Sequence, residues 1–304
     1  MPKRYRRLFF AALLAVYPLV ADAAGGPCAA PTSGLVARYP ADGNADDAAG
    51  GNDGTLEHGA TFGEGRIGQA FRLDGADDRV SAPPTAAIDP TSAGSMAAWV
   101  KPNQLPSVAA HVMEIIGKGS AGADFDLQVD GDDTVGFYIA AGTRVATTTK
   151  LTTGRWYHIA ATWDSTSGLD IYVDGVHENT NPGLVARSAS GQPLLIGDHP
   201  YFGPRYFNGS IDEVQIFDRA LSADEVARLA CSGLPYCADA NRDGYIKATD
   251  ALLILTAAVG IALDCPLDRC DTDGSGTILA GDALLALRVA VGEGIELLCP
   301  LPEE

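Results

Sequence analysis

Positive charge is scarce in this sequence of 304 residues. It has 21 lysines and arginines against 39 aspartates and glutamates, which gives a formal net charge of -18 at pH 7. A protein that binds nucleic acid needs a basic surface that displaces counterions from the phosphates. The composition therefore argues against nucleic acid as a partner.

Long apolar runs are absent after the N-terminus, so we expect no segment of the mature chain to span a membrane. The N-terminus has a basic stretch at residues 3–7, an apolar run at residues 8–20 and the small-residue stretch Ala21-Asp22-Ala23. These are the three parts of a secretory signal peptide. We predict that residues 1–23 are removed and that the mature protein is secreted, to the extracellular space or the cell surface.

Motifs of common hydrolases are also missing. The sequence has no Gly-x-Ser-x-Gly elbow, no His-Glu-x-x-His helix and no phosphate-binding P-loop. It lacks the Glu-x-Asp-x-x-Glu spacing with which some glycosidases place an acid and a nucleophile on one face of a strand. We therefore expect no catalytic residues. A divergent polysaccharide hydrolase is the least favoured alternative.

A duplication near the C-terminus is the most informative feature that is present. Residues 239–250 and 271–282 each place oxygen-bearing side chains at positions 1, 3, 5 and 12 and a glycine at position 6. A calcium loop uses this pattern, with a backbone carbonyl oxygen at position 7. We predict calcium as the cofactor, one ion in each loop. The predicted ligands are Asp239, Asn241, Asp243, Tyr245, Asp250, Asp271, Asp273, Ser275, Thr277 and Asp282.

Nearly the same helix follows each loop, but no helix precedes either, and a full EF-hand needs an entering helix. These paired half EF-hands, with Asp at position 12, resemble the dockerin domain, which binds cohesins in secreted polysaccharide-degrading assemblies. The resemblance implies a small α-helical calcium-binding module over residues 237–304 and a cohesin-like partner. The pairs Ala248-Thr249 and Ala280-Gly281 do not match the polar recognition pair of cellulosomal dockerins. An intramolecular cap is the alternative role.

All six cysteines follow the signal peptide, and an even number in an exported chain favours disulfides. Six cysteines allow fifteen pairings. If the half EF-hands pack with antiparallel helices, the end of each helix lies near the other loop. This arrangement favours Cys265 with Cys270 and Cys237 with Cys299, and it leaves Cys28 with Cys231 to join the ends of the larger segment.

Short β-rich runs separated by Gly, Asp, Asn and Pro clusters fill the segment from Leu35 to Asp218. This spacing predicts an antiparallel sandwich or barrel. The one strongly indicated helix covers residues 222–230, and Ser222 with Glu225 forms a capping box at its start. The clearest strand patterns lie at residues 95–101, 134–139, 156–163 and 169–173.

Six further stretches of this segment lie at residues 68–75, 98–101, 155–160, 171–175, 209–214 and 219–222. In this order they resemble the LamG-like jelly-roll family, part of the concanavalin A-like lectin and glucanase fold. The resemblance implies a mainly β chain, with an antiparallel β-sandwich over residues 24–232 and a linker over residues 233–236. Members bind sugars, serve adhesion or contact proteins, so the fold alone does not decide the function.

Several members of the family carry a structural calcium ion near the first strand and the late Ile-Asp-Glu strand. By this resemblance the candidate ligands here are Asp42, Asn52 and Asp212. The alternative is that Asp42 and Asn52 make Asx turns and that Asp212 accepts hydrogen bonds from backbone N–H groups.

The stretch over residues 198–207 concentrates five ring side chains and an arginine. Sugar sites combine apolar faces with a few polar groups that fix orientation. The residues predicted to contact a ligand are His199, Tyr201, Arg205 and Tyr206. The alternative is a structural loop that Phe202 and Phe207 anchor to the core. Buried strand positions are predicted for Trp99, Trp156, Trp163 and His158.

These observations favour an exported, non-catalytic recognition protein whose jelly-roll domain binds carbohydrate. The first alternative is a surface or matrix adhesion protein in which both domains make protein contacts only. The hydrolase alternative requires two acidic side chains within about 10 Å on a concave face.

Overall fold

The computed structural model describes residues 30–109, 111–119, 125–140, 142–183, 187–232, 238, 240, 246–261, 265, 270–272 and 275–291. Its strands are β1 Leu35–Tyr39, β2 Thr55–Glu57, β3 Thr61–Glu64, β4 Gln69–Asp74, β5 Arg79–Ala82, β6 Ala93–Pro102, β7 Met113–Lys118, β8 Phe125–Val129, β9 Thr134–Ile139, β10 Thr143–Lys150, β11 Tyr157–Asp164, β12 Gly168–Val173, β13 Val176–Asn181, β14 Leu194–Ile196 and β15 Asn208–Phe217. The helices are α1 Pro106–Ala109, α2 Ala223–Cys231, α3 Ala248–Ala258 and α4 Ala280–Ala290.

The strands form two sheets, and every pairing among the described strands is antiparallel. The first sheet has the order β13-β12-β11-β6-β15-β4-β3, with β1 also paired to β15. The second has the order β10-β9-β8-β7-β14-β5-β2. Successive parts of the chain alternate between the sheets. The mainly β antiparallel sandwich predicted from the strand patterns is confirmed, and its arrangement is that of a jelly roll.

The core lies between the two sheets. Trp163 on β11 of the first sheet contacts Phe125 and Phe137 of the second, with ring centroids 5.2 and 5.8 Å apart. Alternation along each strand places such residues inward, so both inner faces contribute to one apolar cluster. Trp99 and His158 are buried, as predicted. Trp156 differs from the prediction because it precedes β11 and is only half-buried.

Helix α2 covers part of the outer face of the first sheet. Its Val226 and Leu229 pack with Ala160 and Tyr172 in a second apolar cluster. The predicted capping box is confirmed, with the Ser222 hydroxyl accepting from the N–H of Glu225 and the Glu225 carboxylate accepting from the N–H of Ser222. None of the described helices is long and apolar enough to cross a membrane.

Helices α3 and α4 form a small unit with its own core, which we call the helical module. The two helices pack against each other around a small core that includes Ile254 and Ala286. Cys265 and Cys270 form a disulfide, the pairing predicted from the sequence. Cys231 is also disulfide-bonded, and its predicted partner Cys28 lies outside the described residues.

Candidate functional site

The segment between β14 and β15, residues 197–207, lies over the outer face of the second sheet, and we call it the aromatic loop. Backbone hydrogen bonds join it to β7: the N–H of Glu114 donates to the Arg205 carbonyl at 2.7 Å, and the N–H of Gly197 donates to Ile115 at 3.0 Å. Gly117 permits the close approach, because a Cβ there would lie 2.6 Å from the Asp198 carbonyl oxygen. The loop is therefore held against the sheet.

His199 anchors this loop from beneath. Its Nδ1 accepts from the N–H groups of Tyr201 and Phe202, each at 3.0 Å. The proton therefore lies on Nε2, which donates to the Asp126 carboxylate at 2.9 Å. His199 is only 3% exposed, so the structure gives it an anchoring role in place of the predicted ligand contact.

Tyr201 and Phe202 form the exposed part of the loop. Tyr201 is 59% exposed, and its ring meets that of Phe202 edge to face at 5.4 Å. The Arg205 guanidinium lies 4.4 Å from the Phe202 ring centroid on the loop's inner side. Phe207 is buried in the core, as the anchoring alternative predicted, whereas Phe202 remains partly exposed. Tyr206 is half-buried.

Side chains on β7, β8, β9 and β10, with Asp130 directly after β8, continue the site across the sheet, and we call them the polar row: Glu114, Gln128, Asp130, Tyr138 and Arg144. Arg205 donates to Glu114 at 3.3 Å and also to Gln128. Gln128 donates to Asp130 at 2.6 Å, and Asp130 in turn accepts from the Tyr138 hydroxyl and the Arg144 guanidinium. Arg144 is 40% exposed. A connected set of donors and acceptors therefore extends from the aromatic loop to open solvent.

The sequence pattern did not identify the polar row, because its members come from four strands. A strand alternation that turns every second residue outward is the one signal that could have found them. Gly136 lies among them, and a Cβ there would collide with Asp130 and Tyr138. Because glycine has no side chain, the Asp130 carboxylate and the Tyr138 ring can lie close to each other.

Two buried acids lie beneath the loop and bear on the hydrolase alternative, which requires a pair of acidic side chains. Glu114 and Asp126 lie on neighbouring strands and interact electrostatically. Burial, together with Asp126, raises the pKa of Glu114 well above its usual range. The aromatic loop covers both acids, which are at most 1% exposed. In this conformation neither acid can reach a glycosidic oxygen.

The predicted structural calcium ligands of the sandwich fall into two places. Asp212 and Asp42 both contact the turn before β4, where they accept from the N–H groups of Ile67 at 2.9 Å and Gln69 at 2.8 Å. Asn52 lies elsewhere, in a cluster with Asp47 and Thr85. Asp42 and Asp212 thus contact one turn, whereas the polar partners of Asn52 are Asp47 and Thr85, and a calcium ion at these residues stays a prediction.

Asp212 itself has the chemistry of a cation ligand. It is fully buried, and its Oδ1 has no hydrogen-bond partner among the described residues. Burial, with a smaller effect of Glu213, raises the pKa of Asp212 to about 7. An orphaned buried carboxylate oxygen fits a bound calcium ion, since a cation would offset its desolvation.

In the second predicted calcium loop, a hydrogen bond brings position 12 close to the start of the loop. Asp271 at position 1 accepts from the N–H groups of Ser275 at 3.0 Å and Gly276 at 2.6 Å. Gly276 at position 6 has φ +83, a backbone conformation that glycine adopts readily. Asp282 at position 12 accepts from the N–H of Thr272 at 2.7 Å, directly beside Asp271. Thr277 is exposed on the same turn.

The first loop is described only at its end, where Asp250 accepts from the N–H of Lys247 at 2.9 Å, as Asp282 does from Leu279. Asp250, Asp271 and Asp282 are all fully buried. Buried carboxylates in so small a unit fit an arrangement completed by a cation. The other predicted ligands and cysteines lie outside the described residues: Asp239, Asn241, Asp243, Tyr245, Asp273, Cys237 and Cys299.

Comparison with protein families finds one match in this region. The family model described as the concanavalin A-like lectin/glucanases superfamily matches residues 74–227, half of the chain. The matched residues include β5 to β15 and therefore the polar row and the aromatic loop.

Two curated relatives share part of this region. The human adhesion G-protein coupled receptor D1 is 40% identical over 75 residues, which are 24% of this chain and 9% of the receptor. The rat sushi, von Willebrand factor type A, EGF and pentraxin domain-containing protein 1 is 32% identical over 104 residues, 31% of this chain and 3% of that protein. The chain thus spans less than a tenth of either relative.

Solved structures share the fold at low identity. Domain 4 of the extracellular arabinanase AbnA from Geobacillus stearothermophilus, in complex with arabinotriose, has a TM-score of 0.55 and 23% identity, covering 64% of this chain and 98% of that domain. The binding domain of Paraclostridial Mosquitocidal Protein 1 has a TM-score of 0.53 and 16% identity, covering 67% of this chain and 56% of that one. A structure of botulinum neurotoxin type C, whose cell entry is dependent upon interaction with two ganglioside molecules, has a TM-score of 0.50 and 13% identity. The match covers 66% of this chain and 51% of that one.

Proposed function

The chain belongs to the concanavalin A-like lectin/glucanases superfamily, and on that basis we propose that its jelly-roll domain, residues 24–232, is a non-catalytic carbohydrate-binding domain. The observation that carries this proposal is the exposed Tyr201-Phe202 pair, which Arg205 supports from below. The ligand lies against these two rings and reaches the polar row with its hydroxyl groups.

The arrangement meets the two requirements of sugar recognition. An aromatic face covers the apolar C–H surface of a sugar ring, and a few convergent donors and acceptors fix its orientation. Here the Arg144 guanidinium offers hydrogen-bond donors, and the Tyr138 hydroxyl has both a donor and an acceptor, at the solvent edge of the polar row. Because His199 and Arg205 hold the loop in place, little ordering entropy is lost on binding.

Two of the structural neighbours support this choice of ligand class. The arabinanase domain was solved with arabinotriose, and the type C neurotoxin structure concerns ganglioside molecules. Arabinotriose is a carbohydrate and gangliosides carry one, so both neighbours favour a carbohydrate ligand.

We further propose that the helical module, within residues 237–304, is a dockerin-like attachment unit that binds two calcium ions. Buried Asp250, Asp271 and Asp282 support this proposal. Bound calcium would be held by these side chains and would tie each loop to the helix that follows it. A third ion would sit at Asp212. With the signal peptide at residues 1–23, the mature protein would be exported and attached to a cohesin-like partner.

A glycan array tests the binding proposal. The mature chain should bind at least one glycan, and Tyr201→Ala combined with Phe202→Ala should weaken that binding at least ~30-fold, because stacking on rings contributes about 1–2 kcal/mol for each ring. Val176→Ala is the matched control, since Val176 is a similarly exposed apolar residue on β13. Unchanged binding by the double variant would move the site away from the loop.

Adhesion through protein contacts is the second candidate. The matched stretch of the human adhesion receptor, at 40% identity, favours it. A mature chain that binds no glycan on the array and instead captures a protein through the same loop would support this function. The divergent hydrolase requires the aromatic loop to open over Glu114 and Asp126.

A further inference from the structure

Acidic side chains outnumber basic ones where the aromatic loop meets the second sheet. Glu114, Asp126 and Asp198 are buried there, each at most 4% exposed. Among the described residues, the basic side chains that contact these acids are Arg205, which donates to Glu114, and Arg79, which donates to Asp198. Three acids would therefore share two cations in a place that water does not reach, and a buried charge without a partner is costly.

The other charged groups that the structure describes near the loop do not offset this excess of acid. Arg79 also donates to Glu57, at 2.7 Å, so two acids share it. Lys118 on β7 has its ammonium group 3.9 Å from a different acid, Asp89. His199 is neutral in this arrangement, because its Nδ1 accepts hydrogen bonds from two backbone N–H groups. At least one of the acids beneath the loop is therefore best kept neutral by a proton of its own.

The hydrogen bonds identify Glu114 as the acid that holds this proton. Its Oε2 accepts from Arg205 at 3.3 Å, and its Oε1 has no hydrogen-bond partner among the described residues. The other two acids, Asp126 and Asp198, accept from side-chain nitrogens at 2.9 and 3.0 Å. A buried carboxylate oxygen without a partner is costly, whereas a neutral carboxyl group loses much less on burial. A proton on Glu114 therefore relieves the excess of acid at the lowest cost.

The pKa of Glu114 agrees with this assignment. Burial, together with Asp126, raises it well above the usual range, and the smaller effect of Arg205 does not reverse the shift. The next acid along the polar row, Asp130, is paired with Arg144 instead. If the loop lifts from the sheet, water reaches the Glu114 carboxyl group, and its pKa returns to about 4.3. The closed loop thus retains a proton that the open loop releases as the pH rises above this value, so rising pH favours opening.

We propose that a proton on Glu114 closes the aromatic loop onto the sheet, so that the exposed rings of Tyr201 and Phe202 are held firmly in acidic solution and loosen as the pH rises. The backbone provides the link, because the N–H of Glu114 itself donates to the Arg205 carbonyl at 2.7 Å. The residue that titrates is thus also a residue to which the loop is bonded. This inference rests on the proposed function, since it assigns a pH dependence to the same glycan-binding surface.

Amide hydrogen exchange of the mature full-length chain, measured by NMR between about pH 5 and pH 7, tests the proposal. The probe is the backbone N–H of residue 114, and its protection factor is the intrinsic rate at each pH divided by the observed rate. In the parent protein this factor should fall at least ~10-fold as the pH rises over this range. In Glu114→Gln, which keeps a neutral side chain of the same size, it should not fall. Glu64→Gln, at an exposed glutamate on β3, is the matched control and should behave like the parent.

His199 has the opposite effect on the loop and does not imitate the expected result. Its protonation would remove the acceptor for the N–H groups of Tyr201 and Phe202, so it would loosen the loop as the pH falls. This contribution is the same in the parent and in Glu114→Gln, and the difference between the two proteins therefore isolates Glu114.

Two results would overturn the proposal. One is a protection factor in the parent that stays constant or rises with pH, and the other is an equal fall in Glu114→Gln. If that variant fails to fold, the ¹³C chemical shift of the Glu114 carboxyl group in the parent decides the question. A titration midpoint at about 4.3 contradicts the proposal, and a higher midpoint that matches the loss of protection supports it. No glycan is present in these measurements, so a chain that binds no glycan on the array contradicts the proposed function alone.

Discussion

Two buried histidines show how surroundings decide the role of one residue type. His199 has hydrogen bonds at both ring nitrogens and faces a carboxylate. His158 is packed edge to face on Trp99, with centroids 5.3 Å apart, and its Nδ1 has no partner among the described residues. Burial lowers the pKa of His158 from 6.5 to about 3. The first histidine anchors the loop, and the second packs as a buried, neutral ring against Trp99.

His158 should make the stability of the sandwich depend on pH. In the unfolded chain this histidine takes up a proton as the pH falls below 6.5, whereas in the folded chain it stays neutral down to about pH 3. The unfolded state therefore binds more protons in this window, and the free energy of unfolding falls by about 2 kcal/mol between pH 7 and pH 5.

His158→Phe keeps a ring against Trp99 and should remove this part of the pH dependence. Urea unfolding of both proteins at pH 7, 6 and 5 measures the difference. His177→Gln is the control, because His177 is an exposed histidine on the same sheet. Equal slopes in the His158 variant and the parent protein would contradict the assignment.

At the scale of elements, three side-chain pairs hold the aromatic loop against the sheet. Arg205 is joined to Glu114, His199 to Asp126, and Asp198 to Arg79 at 3.0 Å. Each pair links the loop to a strand distant in sequence. The position of the exposed rings is therefore set by the sheet below them.

His199→Ala should loosen this element. It removes the imidazole donor to the buried Asp126 carboxylate, which costs roughly 3 kcal/mol of stability, and it removes the acceptor for the N–H groups of Tyr201 and Phe202. Hydrogen exchange should become faster at those two amides. His58→Ala, at an exposed site, is the control. Protection that stays unchanged at both amides would show that other contacts hold the loop.

The proposed calcium loops and the helices that follow them form the second set of elements. Asp282 holds the N-terminus of α4 through the N–H of Leu279 and also reaches Thr272 beside position 1. Asp282→Ala should lower calcium affinity at least ~10-fold in calorimetry and destabilise α4, because the last ligand of the loop is removed. Asp224→Ala, an exposed acid on α2, should change neither. Equal calcium affinity in the Asp282 variant would place the ion elsewhere.

At the scale of the whole molecule, the sandwich and the helical module differ in their cores and in the functions that we propose for them. The sandwich has a large core and presents the polar row and the aromatic loop. The module has a small core and carries the proposed calcium loops. In our proposals the first unit recognises a glycan, and the second binds calcium and attaches the protein.

Much of the fold was determined by short-range features of the sequence. The strand predicted at residues 134–139 is β9, and the hairpin at Asp174-Gly175 has the positive φ angles of a tight turn. The Ser222 capping box and the Cys265 to Cys270 disulfide join residues three and five positions apart. Interactions over such short separations depend on residue type and spacing alone, so a single sequence can specify them.

The tertiary structure alone determined how the residues of the proposed binding surface come together. Arg205 meets Glu114 across 91 positions, and His199 meets Asp126 across 73. These long-range pairs turned a predicted ligand contact into an anchor and assembled a polar row that no motif had indicated. Sequence alone specified which residues alternate along each strand, but the register between strands determined which of them share a face.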